Sequence, residues 1–504
     1  MKRINRIAVV IGFIIVSSCS KEFLDINPNL TTTSLTYFKT ERDFTEALNG
    51  LYATLQTQAS TYVLLNELRS DNTCVYFNPS ERAGVVLLEE IDEFRDGAIN
   101  TSSNYWNTAY HAVYRINLVL SKIDGFAFTT NGLKERMTGE CKFLRAFYYF
   151  NLVRFYGSVP LVLTPVENLS DAYTTGRTSH EDVYKQIIED VGVAVSALPD
   201  TYSSSDVGRI TKGAALMLLA KIQMTQKKFS DAVNTLKSIT ALGYTLQPDY
   251  QNCFDPAFKN NSESVFEIQY NAAIDGMSNN NIFSWVPIGS EAYSAIFGYT
   301  GSNRTGWNIP TKDLIAAYEP GDLRKDISLK TGYTNSLGNF VHSPYINKWI
   351  YDAGVADRND CNFPVYRYAD VLLMLAEALN EVQYVSGGEA FDLLNGIRHR
   401  AGLADKTPLD LPDQQSFRMA VEKERRVELA FEGHRWPDLV RTERAIDVIR
   451  AYGVTEKADP STPRGLGEDY VSGAFDIQPF RLVYPVPQVE IEKAPRGLTQ
   501  NDGY

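Results

Sequence analysis

Cysteine is scarce in this chain of 504 residues, five in all, and no two are spaced as C-x-x-C. Redox dithiols and most structural zinc sites need that spacing, so neither is expected. The five histidines, His111, His180, His342, His399 and His434, are scattered, with no H-E-x-x-H pair. No G-x-S-x-G or P-loop pattern occurs, and "GRITKG" lacks the G-K-[ST] ending that would let it cradle phosphate. The expectation is a chain without catalytic motif, metal or cofactor. Basic residues are outnumbered, 49 Lys and Arg against 61 Asp and Glu, and a net charge of −12 argues against nucleic acid as a partner. Long apolar runs are missing too: the N-terminal one, Ile7 to Val16, falls well short of the about 20 residues that span a bilayer.

That short run has its own meaning. Lys2, Arg3 and Arg6 precede it and small residues follow, the pattern of a cleaved export signal. The residues "IVSS" followed by Cys19 resemble a bacterial lipobox, in which the cysteine becomes the lipidated first residue of the mature chain. Residues 1–18 are therefore read as leader, and Cys19 as a membrane tether that needs no transmembrane helix. The other four cysteines, Cys74, Cys141, Cys253 and Cys361, have no pairing that sequence can decide, although export would permit one.

What is abundant is helical periodicity. In "RMTGECKFLRAFYYFNLVRFYGSVP", Met137, Cys141, Leu144, Tyr148 and Phe155 share one face, and Gly157 with Pro160 ends the pattern. In "SHEDVYKQIIEDVGVAVSALP", Ser179 is placed to cap, Val183, Ile187, Val191, Ala194 and Leu198 form the stripe, and Pro199 stops it. "ITKGAALMLLAKIQMTQKKFSDAVNTLKSITALGY" reads as two helices with a turn near Lys227 to Ser230, and "RYADVLLMLAEALNEVQYVSGGEAFDLLNGIRHRAGL" as two more, turning at Gly387 and Gly388. The first helix of that second pair, Val371 to Leu379, is apolar nearly all round and should be central. Trp106 and Trp436, beside helical patterns, are expected in the core. Such hairpins resemble tetratricopeptide-type pairs in length and pattern, without the W-x₂-L-G signature.

Between the hairpins, about 250–365, the period fades. "SVFEIQY" reads as a short strand, and "NIFSWVPIGSEAYSAIFGYTGSNRTGWNIP" is rich in Asn, Gly, Ser and aromatics. A loop-rich stretch of this length is usually functional. Downstream, "ERRVELAFEGHRW" sets Glu424, Glu428 and Glu432 four residues apart beside Arg425, Arg426 and Arg435. Two readings are weighed: paired carboxylates for glycoside hydrolysis, or an ion-pair lattice tying helices together, and the second is preferred because stacked carboxylates need cationic neighbours.

The chain as a whole resembles the SusD/RagB family of nutrient-binding outer-membrane lipoproteins. The resemblance is carried by "CSKEFLD", "TEALNGLY", "KFLRAFYYFNLVRFYGSVP", "GRITKGAALMLLAKI", "YRYADVLLMLAEALN", "GIRHRAG", "ERRVELAFEGHRWPDLVR" and the closing "YPVPQVEIEKAPRGLTQNDGY", in the family's order. It implies a mostly α fold: a tetratricopeptide-like helical-repeat scaffold over about 19–250 and 365–450, an irregular, loop-rich ligand-binding insertion over about 250–365, few short strands, and a C-terminal extension, 451–504. It also implies a protein that is not an enzyme, anchored by lipid in the outer membrane and facing the cell exterior. There it would bind oligosaccharide or polysaccharide and deliver it to a SusC-like TonB-dependent transporter. A surface glycoside hydrolase and a purely structural repeat lipoprotein are the alternatives.

Sugar binding asks for aromatic faces with planar polar groups beside them. Two stretches supply these. "NELRSDNTCVYFNPSER" offers Asp71, Asn72, Tyr76, Phe77, Asn78 and Arg82; the later cluster offers Trp285, Tyr293, Tyr299, Asn303, Arg304 and Trp307.

Overall fold

Helices form where the apolar period is bracketed by start and stop signals. The computed structural model describes residues 37–77, 82–166, 174–203, 205–299, 306–464 and 469–504; Cys19 and its leader lie outside them. The chain divides into two units, Met1–Glu46 and Ala47–Tyr504. In the first, the Asp43 carboxylate accepts from the backbone N–H of Lys39 at 2.9 Å and of Thr40 at 2.7 Å, and the rings of Phe38 and Phe44 lie 4.8 Å apart.

The longer helices are α1 (Glu41–Glu67), α2 (Arg82–Asp92), α3 (Ser102–Ile123), α4 (Leu133–Tyr156), α5 (His180–Ala197), α6 (Lys212–Thr225), α7 (Phe229–Thr240), α8 (Ser290–Phe297), α9 (Tyr368–Val382), α10 (Glu389–Arg400), α11 (Gln414–Glu428) and α12 (Ala445–Ala458). Their ends follow the side chains. Ser179 accepts from the Asp182 N–H at the start of α5, Thr211 does the same for Ala214 at α6, and Asp413 and Ser416 form a reciprocal capping box at α11. At the end of α4, Gly157 takes a φ of 71°, which costs a glycine little.

From α3 to α7 each helix packs on the next; α7 then packs on α9, and α9 on α10 and α11. The two expected hairpins are α6–α7 and α9–α10, and they stack through α7 against α9, covering faces neither could cover alone. The central helix α9 buries Val371, Leu373, Leu375 and Ala376, as its all-round apolar character required. Trp106 and Trp436 are core residues. The expected face of α4, Met137, Cys141, Leu144, Tyr148 and Phe155, is buried, and it is not the only one. Wedged between α3 and α5, the helix also covers Phe143, Phe147, Tyr149 and Leu152, and Phe143 meets Phe266 edge to face at 5.4 Å. Each such large side chain taken from water contributes about 1.5–3 kcal/mol.

The expected strand is β1 (Ser264–Ile268), antiparallel to β2 (Phe363–Arg367), with Ser264 opposite Arg367 and Ile268 opposite Phe363. This pair brings the early and late parts of the loop-rich insertion together. Within the insertion, two-residue ladders tie Leu329–Lys330 to Tyr345–Ile346 and Tyr333–Thr334 to Phe340–Val341. The architecture is mostly helical with few short strands. Cys74, Cys141, Cys253 and Cys361 are buried free thiols. Among the described residues no helix is long and apolar enough to cross a membrane.

Candidate functional site

The two aromatic stretches are far apart in sequence and are stitched together in the fold. Thr73–Cys74 pairs antiparallel with Ile309–Pro310, the Thr311 N–H donates to the Asn72 carbonyl at 3.0 Å, and the Tyr76 N–H donates to the Gly306 carbonyl at 2.7 Å. On the other side the Trp307 N–H donates to the Ser284 carbonyl at 2.8 Å. Gly306 is required at this crossing. Its φ is +60°, and an added Cβ would stand 2.5 Å from the Tyr76 Cβ. Tyr76 and Trp307, both half-buried, therefore lie side by side.

A third element joins them. The hairpin Tyr333–Val341 sits beside α8, with Tyr333 close enough to Tyr76 for their hydroxyls to interact electrostatically. It exposes Phe340 by 52%, and the Phe340 ring meets that of His342 edge to face at 4.9 Å. Tyr299, half-buried, donates its hydroxyl to Asp352. The result is a surface of partly exposed rings, Tyr76, Trp307 and Tyr333, while Phe340, paired across the hairpin with Thr334, points to the other side of it. Beneath that surface, Asn308 is fully buried, and among the described residues neither its amide atoms nor the Trp307 indole N–H has a hydrogen-bond partner, an unusual local density of unsatisfied polar groups.

Five sequence candidates occupy other roles. Trp285 is 2% exposed and its ring packs 5.6 Å from that of Trp349; Tyr293 is fully buried and donates to Asp357 at 2.6 Å. Phe77 is buried under the Arg464 guanidinium, 4.8 Å from its ring. None of these rings has a face free for a ligand. Asp71 and Asn72 are buried anchors. The Asp71 carboxylate accepts from Arg435 at 2.7 and 2.8 Å and pairs with Arg426 at 3.1 Å, while Asn72 accepts from Arg426 at 2.9 Å. Burial opposes ionisation of Asp71, yet the two guanidiniums outweigh it and hold the group well below the usual carboxylate range. Asn78, Asn303 and Arg304 lie outside the described residues, as does the side chain of Arg82. Tyr333 and Phe340 escaped the sequence reading. Their only signal is a polar turn, "NSLG", between two aromatic residues, and two-residue strands leave no period to detect.

The anchors belong to a larger lattice built by "ERRVELAFEGHRW". Glu428 pairs with Arg400 at 2.5 Å, Arg367 at 2.9 Å and Arg324 at 3.1 Å; Glu432 with Lys348 at 2.7 Å and Arg367 at 2.8 Å; Glu424 with Arg324 at 2.7 Å and Arg398 at 3.0 Å. All three carboxylates are buried. Burial works against ionising Glu428, but the three guanidiniums around it hold it well below its ordinary value. A glycosidase acid needs the opposite, a carboxyl kept protonated by its surroundings. The segment is the ion-pair lattice. Among the described residues no group of three or more His, Cys, Asp or Glu is placed to hold a metal ion.

Residues 293–504 match the model described as SusD family, and residues 22–224 match that described as starch-binding associating with outer membrane. SusD-like protein P25 of Formosa agariphila is 27% identical, the match covering 100% of both chains. Among solved structures, a laminarin binding SusD-like protein superposes with a TM-score of 0.75 at 25% identity, covering 93% of this chain and 100% of its own. Surface glycan-binding protein A from Bacteroides thetaiotaomicron shares the fold with a TM-score of 0.76 at 21% identity, covering 93% of this chain and 100% of its own.

Proposed function

Because the chain belongs to the SusD/RagB family, we propose that it is a glycan-binding protein of the cell surface whose ligand lies across Tyr76, Trp307 and Tyr333. The observation that carries this reading is the backbone ladder that seats Tyr76 and Trp307 side by side on a rigid scaffold. Aromatic faces stack on the C–H faces of pyranose rings. By analogy with aromatic pairs each is worth about 0.5–1.5 kcal/mol, so two or three give a modest affinity that permits release. Asn78, Arg82, Asn303 and Arg304, in the same two stretches, are the proposed hydroxyl partners.

The likeness to a laminarin binding protein makes laminarihexaose the first ligand to titrate. Calorimetry should show the double variant Tyr76→Ala/Trp307→Ala losing at least about tenfold in affinity with its circular dichroism unchanged. Undiminished affinity in that variant would remove the face from consideration.

The proposed setting is the outer membrane, with the chain tethered through Cys19 beside a SusC-like TonB-dependent transporter to which it passes glycan. A tether raises the local concentration of a weak binder next to the acceptor, which compensates for modest affinity. A Cys19→Ala variant is expected in the soluble fraction, still able to bind glycan. Its retention in outer-membrane fractions would refute the lipid anchor.

A further inference from the structure

A second aromatic concavity lies elsewhere on the fold and shares no residue with the face described above. Along α3, Trp106, Tyr110 and Tyr114 follow one another at four-residue steps, so their rings line one side of the helix. They form one wall of a groove of about 330 Å³, with Val162 and Leu498 among the residues facing them. The rings grade from floor to lip: Trp106 is 3% exposed, Tyr110 half-buried and Tyr114 46% exposed, and the first two are 5.0 Å apart.

The groove is built rather than incidental. Tyr110 donates to the Pro160 carbonyl at 2.8 Å, while Tyr149 and Asn117 each donate to the Val162 carbonyl at 2.9 Å, so the facing loop is held at a fixed distance from the helix. At the lip, the side chains of Asn107, His111 and Tyr114 make no hydrogen bond or ion pair with the other described residues, and Asn107 and His111 are exposed. The charged pair at the rim neutralises itself, Lys493 meeting Glu490 at 2.7 Å.

We propose that this groove is a second carbohydrate subsite, taking one or two neutral pyranose rings. Its volume is at the small end of ligand pockets, which excludes a long chain lying wholly within it. The aromatic wall offers stacking, and the free amide and imidazole at the lip supply hydroxyl partners. The self-paired rim selects against uronic acid or phosphate. The ligand class rests on the glycan reading of the chain; the groove itself does not.

The test is saturation-transfer NMR on the mature chain with the methyl glycosides of glucose, galactose, mannose and xylose. At least one should give a signal with the parent and with Tyr76→Ala/Trp307→Ala, and Tyr114→Ala should weaken it about tenfold with circular dichroism unchanged. His111→Ala should weaken it less. No signal from any of the four with the parent would overturn the proposal. So would a signal that survives Tyr114→Ala but disappears in the double variant, which places the sugar on the other face. In a laminarihexaose titration, an affinity loss in Tyr114→Ala that the double variant does not share supports the groove and removes the other face.

Discussion

Arg367→Ala should lower the free energy of unfolding by about 3–5 kcal/mol, the largest single-residue effect expected in this chain. Arg367 is 2% exposed and its guanidinium pairs with Glu263 at 2.5 Å, Glu428 at 2.9 Å and Glu432 at 2.8 Å. Removing it leaves three buried carboxylates facing one another, with Lys348, Arg400 and Arg324 as the remaining cations. The cost is the desolvation of uncompensated charge rather than the lost attraction alone. Because Arg367 ends the strand that closes the insertion, the variant should also lose glycan affinity with its fold partly opened. Urea titration at neutral pH measures the effect; a loss below about 1 kcal/mol would show that the lattice is dispensable.

Glu67→Gln is expected to act in the other direction. Burial pushes the Glu67 carboxyl up to about 7, against the opposing hydrogen bonds from the Gly433 N–H at 2.7 Å and the Asn72 amide at 3.3 Å. A carboxyl whose folded value lies above its ordinary 4.5 is held protonated by the fold. The unfolded chain ionises first as pH rises, so stability falls between 4.5 and about 7, and the full penalty, on the order of 3 kcal/mol, remains above that window. Glutamine carries no charge to desolvate. The variant should therefore be more stable than the parent by about 2–3 kcal/mol at pH 8, with the difference vanishing below pH 4.5. His434 contributes the opposite slope. Burial holds it down to about 3, so its share of stability is present above 6.5 and is lost as pH falls towards 3. With Glu67 replaced, that acid-side loss should stand out in urea midpoints measured from pH 4 to 8. Equal gains at pH 5 and pH 8 would rule out the titration of Glu67 as the cause.

Much of the scaffold was legible from the chain. The period of Val183, Ile187, Val191 and Ala194, the Ser179 cap and the Pro199 stop describe α5 before any coordinate is known, because a helix is specified by neighbours one turn away. The face was legible only in outline. Trp285 and Trp307 belong to the same aperiodic stretch and looked equivalent; what separates them is the distant Trp349, against which Trp285 packs, and Ser284, which holds Trp307 near the surface. Likewise Asp71 and Asn72 looked like ligand groups until Arg426 and Arg435 came to meet them from the far end of the chain. Local patterns carry no record of such partners, so polar and aromatic residues in loops are where the reading and the fold part company.

The clamp on Asp71 and Asn72 separates what holds the loop from what the loop displays. The backbone at Tyr76 is fixed from below by guanidiniums and from the side by Gly306, and neither constraint depends on which ring stands at positions 76 or 307. The loop is thus a mounting plate with interchangeable fittings: exchanging the side chains at those positions should leave the bolts beneath, and the stability they provide, in place.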